Sequence, residues 1–266
     1  MISDKAYIDP SAKLGKNVTV HPFAYIDANV EIGDNCEIKP YASILPGTRI
    51  GNNTRIFQGA IIGAEPQDFR WKGCDSFCYI GNNCVIREGV IINRGIEETG
   101  GTKIGDSTFV MAHTHIGHDC QLEGLSVIGN GVTFAGGVEV GKCVILSSNC
   151  VLHENSKIGD WAFVKGGCRI NGNVPPYIIV AHNPVEYFGV NATVLRKKGG
   201  EYGITESMID DIAKAYRHVY QSGTSVFNAM QRIEADLEDT PIRKNILDFI
   251  INNNFKIVAV PVEVEE

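Results

Sequence analysis

Aliphatic residues recur every six positions along most of this chain: Ile8, Leu14, Val20, Ile26, Ile32, Ile38, Ile44, Ile50, Ile56 and Ile62. The series resumes at Ile80, Ile86 and Ile92. It runs again from Ile104 through Val110, Ile116, Leu122, Ile128, Phe134, Val140, Leu146, Leu152, Ile158 and Val164 to Ile170. A helix requires spacings of three and four, and a single strand requires two. Period six fits a short strand, a tight corner and another short strand, with three such units closing one triangular coil. Four positions after each aliphatic stands a small residue, as at Ala12, Ala24, Cys36, Ala42, Thr54 and Ala60, suited to a cramped corner. Coils of this kind stack through parallel-sheet hydrogen bonds about 4.8 Å apart. Each buried aliphatic side chain contributes roughly 1.5–3 kcal/mol, so the inward column supplies the core. The pattern predicts a mainly β protein, with a parallel β-helix over residues 1–190.

Two gaps keep the phase while breaking the pattern, from Ile62 to Ile80 and from Ile92 to Ile104. GAEPQDFRWKGCDSF and NRGIEETGGTK therefore read as loops thrown out of the helix, about 64–78 and 94–103. Loops on a rigid scaffold are where function tends to sit. After NVPPY (Asn173–Tyr177) the period stops and helical spacing begins. Met208, Ile209, Ile212, Tyr216, Val219 and Tyr220 form one stripe; Val226, Phe227, Met230, Ile233 and Leu237 form a second, with Thr224 placed to cap it. Pro241 opens a third through Ile246, Leu247 and Ile250. Residues 191–266 are thus expected to make a small helical domain covering the open end of the sheets.

Composition narrows the function. Hydrophobic residues are 44% and charged ones 21%, which suits a globular chain rather than a disordered one. A net charge of −7 without a basic arm argues against nucleic acid as partner. No apolar run is long enough to span a membrane, and MISDKAYIDPSAKLG lacks the apolar core of a signal peptide, so a cytoplasmic location is expected. Cys74 and Cys78 are four apart in the first loop, but no second pair at zinc spacing accompanies them. Five of the eight cysteines (Cys36, Cys84, Cys120, Cys150 and Cys168) fall on the small inward position, where a free thiol acts as a core residue.

The stretch THIGHDCQLEG (Thr114–Gly124) carries the candidate chemistry. Ile116 and Cys120 point inward, which leaves His118 and Asp119 on the outside and assigns His115 to the preceding corner. One coil onward from His118 is Gly136, whose backbone N–H would lie open above the imidazole. A histidine base beside an open N–H is what acyl transfer requires: one takes a hydroxyl proton, the other holds the oxyanion. Asp119 is placed to orient the ring, although neighbours along a strand seldom pair. The cluster His113, His115 and His118 leaves a metal site open as a rival.

These features resemble the UDP-N-acetylglucosamine O-acyltransferases over nearly the whole length: the repeats, the QD of the first loop, HIGHDC, VPPY, FGVN followed by LRKKG, and the three-helix tail. The resemblance implies a left-handed β-helix. It also implies transfer of an (R)-3-hydroxyacyl chain from acyl carrier protein to the 3-hydroxyl of UDP-N-acetylglucosamine, the first step of lipid A biosynthesis. It implies a homotrimer with active sites between subunits, and no metal or other cofactor. On it His118 is the general base, Asp119 its supporting carboxylate and Gly136 the oxyanion donor. Asp68, Arg70, His115, His153, Glu154, Asn191, Lys197 and Lys198 are substrate-binding, and Gly166 leaves an acyl groove open for a longer chain. The acidic carrier protein would seek Arg196–Lys198. The sequence departs from the family at Arg70, often lysine, at Gly137, often histidine, and at Glu154, often glutamine. Alternatives are another hexapeptide-repeat acyltransferase and a zinc-dependent hydratase of the carbonic-anhydrase kind.

Overall fold

A computed structural model describes residues 1–258; the final stretch of the 191–266 segment lies outside the described residues. Strands of mostly two residues end on the periodic aliphatics and assemble into three sheets of nine, eight and ten strands, parallel throughout except for the last strand of the third. Successive strands visit the three sheets in turn, so each coil contributes one strand to each face. The coils wind left-handed. The first face runs from Tyr7–Ile8 to Arg169–Ile170, the second from Lys13–Leu14 to Lys157–Ile158, and the third begins at Thr19–Val20. The register places aliphatic on aliphatic, as at Ile92↔Ile116 and Ile116↔Phe134, so the core is one continuous column.

Corners follow from backbone sterics. Almost every coil turns through residues in the left-handed conformation, and asparagine dominates: Asn17, Asn29, Asn35, Asn53, Asn83, Asn149 and Asn155. Short amide side chains tolerate positive φ better than other non-glycine residues. At one corner column an Asx side chain accepts the N–H of the coil before it, Asp34 from Lys16, Asn52 from Asp34, Asn82 from Asn52 and Asp106 from Asn82. The preceding glycine is what lets these coils close up. A Cβ on Gly51 would meet Asn82 Oδ1 and the Gly81 carbonyl carbon, each at 2.8 Å.

The strands reach further into the two excursions than 64–78 and 94–103. Ala64 pairs with Asn93, and Cys78–Ile80 pairs with both Thr48–Ile50 and Thr102–Ile104, leaving 65–77 and 94–101 as the loops. Cys78 is therefore not a loop residue beside Cys74 but a buried strand residue. Both loops leave the same corner, between the first face and the second.

The tail opens with a strand the periodicity did not predict, Glu186–Val190, antiparallel to Ile178–Ala181. A short helix α1 (Ala192–Lys198) and a 3₁₀ turn (Gly199–Tyr202) follow, then α2 (Glu206–Tyr220), α3 (Val226–Asp236) and α4 (Pro241–Asn252). Thr205, Ser225 and Thr240 cap α2, α3 and α4; Ser225 takes the place expected of Thr224 because its hydroxyl reaches the Asn228 N–H. The tail is fastened to the last coil by Tyr216 Oη donating to Pro176 O at 2.6 Å and Asn245 Nδ2 donating to Asp160 Oδ2 at 2.9 Å.

Candidate active site

His118 and Asp119 form a corner between the first and second faces, directly above the corner from which the second loop departs. His118 is 8% exposed. Along an extended strand neighbouring side chains point to opposite sides. Asp119 instead sits at φ 58°, and that turn brings its Oδ2 to 2.8 Å from His118 Nδ1. An imidazole whose Nδ1–H is held by a carboxylate presents Nε2 as an acceptor. Asp119 Oδ2 also accepts the Ile96 N–H at 3.3 Å. Ile96 belongs to the second loop, and its carbonyl accepts the Cys74 thiol of the first loop at 3.2 Å. Gly95 permits this approach, since a Cβ there would meet Asp119 Oδ1 and Gly101 Cα at 2.8 Å. Gly95 and Ile96 went unrecognised in the sequence; the glycine of NRGIEE was the available signal.

Gly136 stacks one coil above His118, in the register set by Ile116↔Phe134. The imidazole lies over it, where a side chain would project, so a Cβ would collide with ring atoms Cε1 and Nε2. The Gly136 N–H has no hydrogen-bond acceptor among the described residues, whereas the next N–H, of Gly137, donates to His118 O. Asn155 Oδ1 fills the space that a side chain at Gly137 would occupy.

The first loop closes over this corner. Asp68 Oδ2 lies 3.3 Å from His118 Nε2, a pair that forms with the doubly protonated ring; the neutral ring, its Nδ1–H on Asp119, turns Nε2 to the acceptor hydroxyl instead. The Arg70 side chain grips Asp68 through Nη2 at 2.7 Å and Nε at 3.0 Å, and the Arg70 N–H donates to Asp68 Oδ1 at 2.7 Å. This pairing, aided by His118, holds the Asp68 carboxyl below the usual carboxylate range and raises the guanidinium in turn. Arg70 Nη2 also reaches Glu154 Oε1 at 2.5 Å. Glu154 stands one coil above Gly136, so His118, Gly136 and Glu154 share one corner column. His153, beside it, is exposed.

Other candidates lie apart from this cluster. His115 is a strand residue, not a corner: it pairs between Ile91 and Thr133, and burial pushes its pKa down. Asn191 is buried, with Nδ2 committed to Trp161 O at 2.8 Å, so it braces the end of the coil. Lys197 and Lys198 are exposed on the last turn of α1, while Arg196 pairs with Glu206 at 2.6 Å. Gly166 lies on a different corner column; a Cβ there would meet only Ser148 O at 3.2 Å and Ser147 Cβ at 3.8 Å. Among the described residues no three His, Cys, Asp or Glu side chains converge to hold a metal ion. No helix of the described residues is long and apolar enough to cross a membrane.

Comparison with known proteins shows what the chain is similar to. Residues 173–258 match the family described as Udp N-acetylglucosamine O-acyltransferase, Domain 2, and residues 101–136 match the bacterial transferase hexapeptide repeat. Residues 2–98 match the C-terminal domain described for GMPPB. An acyl-[acyl-carrier-protein]–UDP-N-acetylglucosamine O-acyltransferase of Alkalilimnicola ehrlichii is 38% identical over 95% of this chain and 97% of its own. The UDP-N-acetylglucosamine acyltransferase of Bacteroides fragilis superposes with a TM-score of 0.92 at 40% identity, covering 98% of this chain and all of that one. The homologue from Acinetobacter baumannii gives 0.91 at 32%, over 97% and 99%.

Proposed function

The chain belongs to the acyl-[acyl-carrier-protein]–UDP-N-acetylglucosamine O-acyltransferase family, and from that premise we propose that His118 is the base with which it acylates a sugar hydroxyl. The donor is an (R)-3-hydroxyacyl thioester on acyl carrier protein. The acceptor is the 3-hydroxyl of UDP-N-acetylglucosamine, in the first step of lipid A biosynthesis.

The observation that carries this reading is the pair formed by His118 Nε2 and the unengaged Gly136 N–H on adjacent coils. His118, oriented by Asp119, takes the proton of the acceptor hydroxyl as its oxygen attacks the thioester carbonyl. The Gly136 N–H receives the oxyanion of the tetrahedral intermediate. Collapse expels the carrier thiolate, which recovers the proton from the imidazolium. Asp68, ionised and an acceptor only, suits a neighbouring donor on the sugar. His115, His153, Lys197 and Lys198 bind substrate or carrier further out, and Gly166, which carries no side chain, leaves the groove open to a long acyl chain. The protein works in the cytoplasm as a homotrimer whose neighbouring subunits complete each site.

The test is direct. Purified protein given 3-hydroxyacyl carrier protein and UDP-N-acetylglucosamine releases one carrier thiol for each acyl-sugar nucleotide formed, read by mass spectrometry. Absence of product would overturn the reading.

A further inference from the structure

Arg70 serves two carboxylates, Asp68 beside it in the first loop and Glu154, 84 positions further along the chain. Its guanidinium fixes Asp68 by two side-chain bonds and ends on Glu154, which is rooted in the β-helix itself. Asp68 in turn faces His118 Nε2. The orientation of the loop carboxylate over the base thus depends on Arg70, and Arg70 depends on a rigid corner two coils above the base. A planar fork can grip two carboxylates in fixed directions, which an ammonium cannot do.

We propose that Glu154 is a positioning residue that does not touch the sugar: it anchors Arg70 so that the first loop holds Asp68 against His118 before substrate arrives. The inference rests on the reading above for its kinetic consequence, and on the ion pair alone for its structural one. Arg70 is 57% and Glu154 48% exposed in the side chain, so the pair has a modest effect and is screened by salt.

The test is a double-mutant cycle. Glu154→Ala lowers kcat/KM for UDP-N-acetylglucosamine about fivefold, chiefly through KM, and Arg70→Ala lowers it at least as much. In the Arg70→Ala background Glu154→Ala has less than about a twofold further effect, because nothing remains for it to anchor. Added salt raises KM of the parent more steeply than that of Glu154→Gln. Effects that simply multiply would mean that Glu154 contacts substrate itself, and would overturn the proposal. A second readout needs no turnover: trypsin cuts after Lys72, in the same loop, about fivefold faster in Glu154→Ala than in the parent. Unchanged cleavage would also overturn it. Faster cleavage in a protein that makes no product would leave the latch standing and sink the functional reading instead.

Discussion

At the scale of single residues, Gly136 carries the sharpest constraint. Its N–H is unengaged, and its missing side chain is the space in which the His118 ring lies. Gly136→Ala therefore displaces the imidazole rather than merely crowding it. Steady-state kinetics of this variant will show kcat reduced by about a hundredfold or more, with the circular dichroism of the parent. Parent-like turnover would mean that the oxyanion is held elsewhere. The thiols give a second prediction. Burial pushes Cys78 and Cys120 up to about 12 and Cys84 to about 11, from an ordinary value of 9.0. The folded state therefore binds protons more tightly than the unfolded one, and stability falls as pH rises from about 9 towards about 12. Near neutral pH, a thiol reagent should label Cys74 in its loop quickly and these three only on unfolding, as peptide mapping will show.

At the scale of elements, the corner column of glycine and Asx side chains holds successive coils together. Gly51→Ala drives a Cβ against Asn82 and the backbone of the next coil, a cost of about 1–3 kcal/mol that calorimetry will record as a lower Tm. Much of this architecture was legible in the residues, because every sixth side chain must point inward and the register is repeated coil after coil. The sequence spoke less clearly where no period operates. Glu186–Val190 and α1 are short and carry no long stripe, so tail strand and helix alike escaped notice. His115 was assigned to a corner because a two-residue strand leaves little room for error: the residue directly before each aliphatic is already on the sheet. The pairing of Asp119 with its neighbour depends on one positive φ, which the sequence hints at only through the residue type. Arg70 and Glu154 were each recognisable as departures from the family, but their meeting is a product of how one loop folds back.

At the scale of the whole molecule, a β-helix has two open ends and three faces. The first coil is tied at one end, where Ser3 N–H donates to Val20 O and the Val20 N–H to Met1 O. The helical tail covers the other through Tyr216 and Asn245. If neighbouring subunits complete each site, light scattering on the eluting protein will give about three times the 29.0 kDa chain mass, and a monomer with full activity would contradict that arrangement. The central claim is that the imidazole at the corner beneath Gly136 takes the proton of the sugar hydroxyl. The most direct measurement is the turnover of His118→Ala beside the parent, with acyl carrier protein as donor and UDP-N-acetylglucosamine as acceptor. The account predicts that the variant folds with an unchanged Tm within a few degrees and loses at least about a hundredfold in kcat. A folded variant that turns over like the parent would contradict it.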